Sequence, residues 1–166
     1  MKKSNIYVVL LISFVALIYS CGPTPEQARQ FNDDVIEQQK AVMVAINELE
    51  AANSTFDPQQ IEPKLAAAAK QIDESLAILK KMKNIDEETD FFPLTIELIE
   101  MFKAQVDNEY KKILEQYKLS DEEYSEETTN AILKSIDDAY NPLAEKFFAS
   151  QQKFADKYGF ELEETE

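Results

Sequence analysis

In four stretches between Ala28 and Tyr158, apolar residues return mostly three or four positions apart, and this spacing constrains the fold more than any other feature of the chain. It gathers the apolar side chains on one face of an α-helix, whereas a strand would scatter them over both of its faces. The first stripe is Ala28, Phe31, Val35, Val42, Ala45 or Ile46, and Leu49. The second is Ile61, Leu65, Ala68, Ile72, Leu76, Leu79 and Met82. The third runs through Ile96, Ile99, Phe102, Val106, Tyr110, Ile113 and Tyr117, and the fourth through Ile132, Ile136, Ala139, Leu143, Phe147, Phe154 and Tyr158. Both glycines, Gly22 and Gly159, lie outside these stretches, and no run alternates as a half-buried strand would. Four long amphipathic segments with short connections predict an all-α, antiparallel up-down four-helix bundle.

The ends of the segments carry their own signals. Thr24-Pro25-Glu26-Gln27 is a capping box with proline at the first helical position, and Asn53 can close that helix in a left-handed conformation. Asp57-Pro58-Gln59-Gln60 opens the second helix, where Pro63 predicts a short 3₁₀ or bent first turn. Lys80, Lys81 and Lys83 suit a helix C-terminus, with Asn84 as the stop. Asp90 can cap the third helix with Pro93 in its first turn, and Ser120-Asp121-Glu122-Glu123 reads as the box that starts the fourth. Pro142 either kinks the fourth helix or follows a new cap at Asn141. Gly159 supplies the left-handed residue after that helix, with Phe160 packing back.

Composition removes several kinds of chemistry. The 166 residues carry a net charge of −15, which repels phosphate backbones and argues against nucleic-acid binding. With no histidine, the commonest general base, transition-metal ligand and haem ligand is missing. A Glu-x-x-His di-metal bundle cannot be built either. One cysteine precludes an internal disulfide, a cysteine-rich zinc site and an iron–sulfur cluster, and two glycines leave no phosphate-cradling loop. Asp33-Asp34, Asp73-Glu74 and Asp137-Asp138 read as solvated faces. The runs 86–90 and 121–127 lack the spacing and turn glycine of an EF-hand. Ser75 and Ser150 stand isolated from any base, and Met43, Met82 and Met101 read as core fillers. The expectation is a protein without cofactor or metal, and not an enzyme.

The N-terminus reads as an address. Lys2 and Lys3 precede an apolar run from Ile6 to Tyr19, about 21 Å as a helix and short of the roughly 30 Å hydrocarbon core. That suits the apolar region of a signal peptide better than a membrane span. Leu17-Ile18-Tyr19-Ser20-Cys21 follows, with a small residue before the cysteine. This stretch resembles the lipobox of bacterial lipoproteins, although Tyr19 is bulkier than the usual residue there. The resemblance implies removal of residues 1–20, lipidation of Cys21, a short tether over 21–24, a bundle over 25–160 and an acidic tail over 161–166. Acyl chains on Cys21 would hold the chain on a membrane at about 0.8 kcal/mol per buried CH₂. Gly22 in place of an acidic residue favours the outer membrane by the same resemblance. Ala28 to Ile36 and Tyr140-Asn141-Pro142-Leu143 to Tyr158-Gly159 further resemble a family of small helical bacterial surface lipoproteins of uncharacterised role.

Polar residues interrupt the stripes at Asn32, Gln38, Gln39 and Gln151. If the first and fourth helices are neighbours, these can form a buried amide layer, which either specifies register or lines a small-ligand pocket. Phe91, Phe92, Phe147, Phe148 and Phe154 belong mostly to the core, and any surplus on the outside would mark a partner surface. In an up-down bundle the 86–90 loop and the C-terminus return to the lipid end, while the 53–57 and 118–123 connections form the far end, the natural contact point for a partner. The leading expectation is a lipid-anchored envelope bundle acting through protein contacts with an unidentified partner. The alternative is a periplasmic small-ligand-binding bundle.

Overall fold

The computed structural model describes residues 22–162. The leader over 1–20, the lipidation reading at Cys21 and residues 163–166 of the tail lie outside the described residues. Five helices follow in order: α1 (Pro25–Asn53), α2 (Pro58–Leu79), α3 (Phe91–Asp107), α4 (Glu109–Tyr117) and α5 (Glu126–Tyr158). Helices α3 and α4 are two parts of one interrupted arm, so the described residues form an all-α bundle of four arms, with no strand among them.

Several ends form as their sequences dictate. The Gln27 N–H donates to Thr24 Oγ1 at 3.3 Å and the Thr24 N–H donates to Gln27 Oε1 at 2.9 Å, completing the capping box. Asp57 accepts from the Gln59 N–H at 3.0 Å and from Gln60 Nε2 at 2.9 Å. Pro63, however, is absorbed without the expected 3₁₀ or bent turn: α2 is α-helical from Pro58, and the Ile61 N–H donates to the Asp57 carbonyl at 3.1 Å. Gly159 takes φ 71° after α5, the Phe160 N–H donates to the Ala155 carbonyl, and the Phe160 ring rests 5.9 Å from Phe154.

Elsewhere the structure corrects the sequence reading. Asn53 is not left-handed: Ser54 caps α1 with φ −66°, and the left-handed residue is Phe56 at φ 56°. Hydroxyls close that helix instead, Ser54 Oγ donating to the Glu50 carbonyl and Thr55 Oγ1 to that of Ala52. Helix α2 ends at Leu79, and Asn84 acts beyond it, accepting from the Asp86 N–H. Asp90 makes no side-chain cap, because its backbone (φ −84°, ψ 10°) is not extended as a cap requires. The third arm is interrupted at Asn108, whose backbone (φ −122°, ψ −69°) leaves the helical region while its N–H and its Nδ2, at 2.7 Å, share the Ala104 carbonyl. Ser120 to Glu123 closes a single turn, and α5 starts later, with Ser125 Oγ accepting from the Thr128 N–H. No new helix starts at Asn141. Helix α5 runs unbroken through the exposed Pro142, with Ile136 buried before it and Ala144 and Phe147 after it.

Contacts pair the ends of the arms. Phe31 near the start of α1 meets Phe92 at the start of α3 (5.3 Å between ring centroids) and Phe154 near the end of α5 (6.0 Å). Phe91 meets Phe154 at 5.2 Å, and Lys157 reaches back to Asp86 at 2.7 Å. At the other end, Phe56 meets Tyr117 and Lys118 faces Glu62. These contacts fit an up-down order. Each buried phenylalanine contributes roughly 1.5–3 kcal/mol, so the aromatic cluster is a main tie between three arms. Among the helical phenylalanines Phe148 is exposed, 54% on the outside of α5. Met43, Met82 and Met101 pack against the core from its edge. Among the described residues, no helix is long and apolar enough to cross a membrane.

Candidate functional site

The amide layer anticipated between the first and last helices exists as one pair. Gln151 Nε2 donates to Asn32 Oδ1 at 2.9 Å, and both residues are buried. Gln38 and Gln39 stay half-exposed outside it, and the Gln38 carbonyl lies 3.4 Å from the buried Ser75 hydroxyl. None of these four amides lines the cleft described below, and the buried pair ties α1 to α5, which fits the register reading.

The 86–90 run serves structure. Asp86 is 5% exposed, and its carboxylate accepts from Lys157 Nζ, the Glu88 N–H and Thr89 Oγ1. Burial pushes this carboxyl upward, but those hydrogen bonds and the Lys157 charge outweigh it and hold the group below its ordinary value. Asp73 pairs with Lys103 across α2 and α3 at 2.7 Å. Among the described residues, no three acidic or cysteine side chains gather as metal ligands.

The cleft lies at the far end, where the end of α1, the α1–α2 connection, α4 and the start of α5 converge around about 830 Å³. Its apolar wall consists of Phe56, Tyr117, Leu119, Tyr124, Leu133 and Ile136. Phe56, 61% exposed, stands edge-on to Tyr117 at 5.2 Å, and Tyr117 lies 6.0 Å from Tyr124. The left-handed backbone that presents Phe56 costs roughly 1–2 kcal/mol, a strain that ring exposure does nothing to offset.

The polar lining is unusual in being left open. Asn53 is 7% exposed, and both Nδ2 and Oδ1 are buried without a partner; Gln116 Oε1 is unpartnered as well. A buried polar group without a hydrogen bond costs about 1–3 kcal/mol, so this end of the bundle carries an uncompensated penalty. Beside them, the Tyr110 hydroxyl donates to Glu50 Oε1 at 3.0 Å. Burial first, then the Glu50 charge and hydrogen bond and the charge of Asp137, push the Tyr110 phenol well above its ordinary value and keep it a donor. The Ser54 and Thr129 hydroxyls are both committed to backbone carbonyls.

The cleft therefore draws on the 53–57 and 118–123 connections already singled out as the far end of an up-down bundle, yet several of its residues carried another reading. Asn53 stood as a helix stop, while Tyr110, Tyr117 and Ile136 were counted in core stripes. Phe56 offered a signal that could have been used: it is a large ring between Thr55 and Asp57 in a connection, with no helical stripe to join. No protein-family model, curated protein or solved structure matches the chain.

Proposed function

We propose that this chain is a lipid-anchored binding protein of the bacterial cell envelope, attached to the outer membrane through Cys21, with its ligand site in the cleft at the opposite end. The observation that carries the binding reading is Asn53, a buried amide with two unpartnered polar atoms in the lining of an open, aromatic-walled cleft. Ligand pockets typically enclose about 300–1,000 Å³ of mostly apolar wall with a few placed polar groups, and a cleft of about 830 Å³ falls within that range. Helix α1 has 29 residues, about 44 Å at 1.5 Å per residue, so an anchor at its start would lie at the end of the bundle opposite the cleft. Cys21 carries the anchoring half of the proposal through its lipobox resemblance.

A second reading is favoured by the exposed Phe56, Leu119 and Leu133 at the same cleft, which offer an apolar surface to a protein partner. A nuclear-magnetic-resonance screen of the full chain against a library of cationic, neutral and anionic fragments separates the two. Shifts confined to the cleft support a small-ligand site, and a blank library overturns it. For the anchor, Cys21→Ala should move the protein from the membrane fraction to the soluble fraction. Unchanged membrane association after signal processing would overturn lipid attachment.

A further inference from the structure

We infer that the cleft takes a small, flat organic cation rich in N–H donors, an inference that rests on the cleft being the binding site. Its charged lining is of one sign: Glu50, Asp121, Glu126 and Asp137, with no lysine or arginine. Among the described residues none of these four carboxylates enters an ion pair. The lysines adjacent in sequence are engaged elsewhere, Lys118 with Glu115 at 3.0 Å and Lys134 with Asp138.

Hydrogen-bond chemistry points the same way, independently of charge. The open positions are two acceptor oxygens, Asn53 Oδ1 and Gln116 Oε1, with two lone pairs each, against the two N–H groups of Asn53 Nδ2. Carboxylates add only acceptors. A complementary molecule therefore brings several N–H groups, as an ammonium, amidinium or guanidinium does, with one acceptor beside them for Asn53 Nδ2. The aromatic walls complete the match, because the negative faces of Phe56, Tyr117 and Tyr124 attract a cation and stack on a flat body. An anion would meet the four carboxylates with no countercharge.

The test uses the full chain in lipid nanodiscs, titrated with L-tyrosinamide and with N-acetyl-L-tyrosine. The two probes share a ring; the first carries an ammonium and a carboxamide, the second a carboxylate. Tyrosinamide should shift the side-chain amide signals of Asn53 and Gln116 and bind at least about tenfold more tightly than the anion. That preference should shrink in about 0.5 M salt, since the carboxylates are exposed. The Asp121→Asn, Asp137→Asn double variant removes two exposed charges and should weaken tyrosinamide binding without lowering the thermal midpoint. Equal or tighter binding of N-acetyltyrosine overturns the cation assignment. If neither probe reaches the cleft while neutral or anionic fragments do, the ligand class falls and the site stands. If no fragment of any charge reaches it, the site reading itself falls.

Discussion

Gln151 Nε2 donates to Asn32 Oδ1 at 2.9 Å across 119 residues of sequence, joining the last helix to the first through two buried amides. An aliphatic pair could fill the space, but amides demand one another and penalise any register that separates them. The Gln151→Leu variant leaves the Asn32 acceptor without this donor and should lose about 1–3 kcal/mol in urea unfolding. The Asn32→Leu, Gln151→Leu double variant should recover most of that loss, giving a clear coupling in a double-mutant cycle. Strictly additive losses would show that the two amides do not act as a pair.

The Asp86–Lys157 contact sets a pH window for stability. The Asp86 carboxyl is held below its ordinary 3.8, so its contribution is present above pH 3.8 and is lost as pH falls through the folded value. The Lys157 ammonium is held above its ordinary 10.5, with the Asp86 hydrogen bond as the largest cause, so its contribution is present below pH 10.5 and disappears at higher pH. Asp86→Asn should lower the thermal midpoint by a few degrees at pH 7, and the gap from wild type should narrow below pH 3.8. A gap that stays constant through that range would remove the ion pair as its cause.

Asn53 should trade stability for binding. Its amide is buried and unpartnered, so Asn53→Leu removes a desolvation penalty in nearly the same volume and should raise unfolding free energy by about 1 kcal/mol. The same variant should abolish fragment shifts in the cleft. Destabilisation by a comparable amount would mean that the amide is satisfied in solution, for example by bound water.

At Phe56 two effects nearly cancel. Phe56→Gly relieves a left-handed strain of roughly 1–2 kcal/mol and forfeits an edge-on aromatic contact worth about 0.5–1.5 kcal/mol. Its stability should lie within about 1 kcal/mol of wild type, whereas Phe56→Val, β-branched at positive φ, should be clearly less stable. Equal stability of the two variants would show that the backbone at this position is not strained.

The all-α class, the four arms and most of the core were legible because each depends on residues three or four apart. Thr24 and Gln27 find each other whatever the rest of the chain does, and so do Gly159 and Phe160 with Ala155. Misreadings fell where two local solutions compete at similar cost. Asn108 bonds the Ala104 carbonyl and interrupts an arm that its apolar stripe would have continued. The Ser120 box closes one turn and yields to Ser125 as the start of α5.

Sequence by itself determined which residues become helical and which face of each helix seeks the core, since periodicity and capping are short-range properties of the chain. Only the tertiary structure decided that Asn32, and not Gln38 or Gln39, meets Gln151, and that Asn53, Phe56, Tyr110, Gln116 and Asp137 share one cleft. Those meetings depend on helix rotation, on the interruption at Asn108 and on the place where α5 begins. Helix rotation is set by how four arms pack together, and no window of neighbouring residues contains that information.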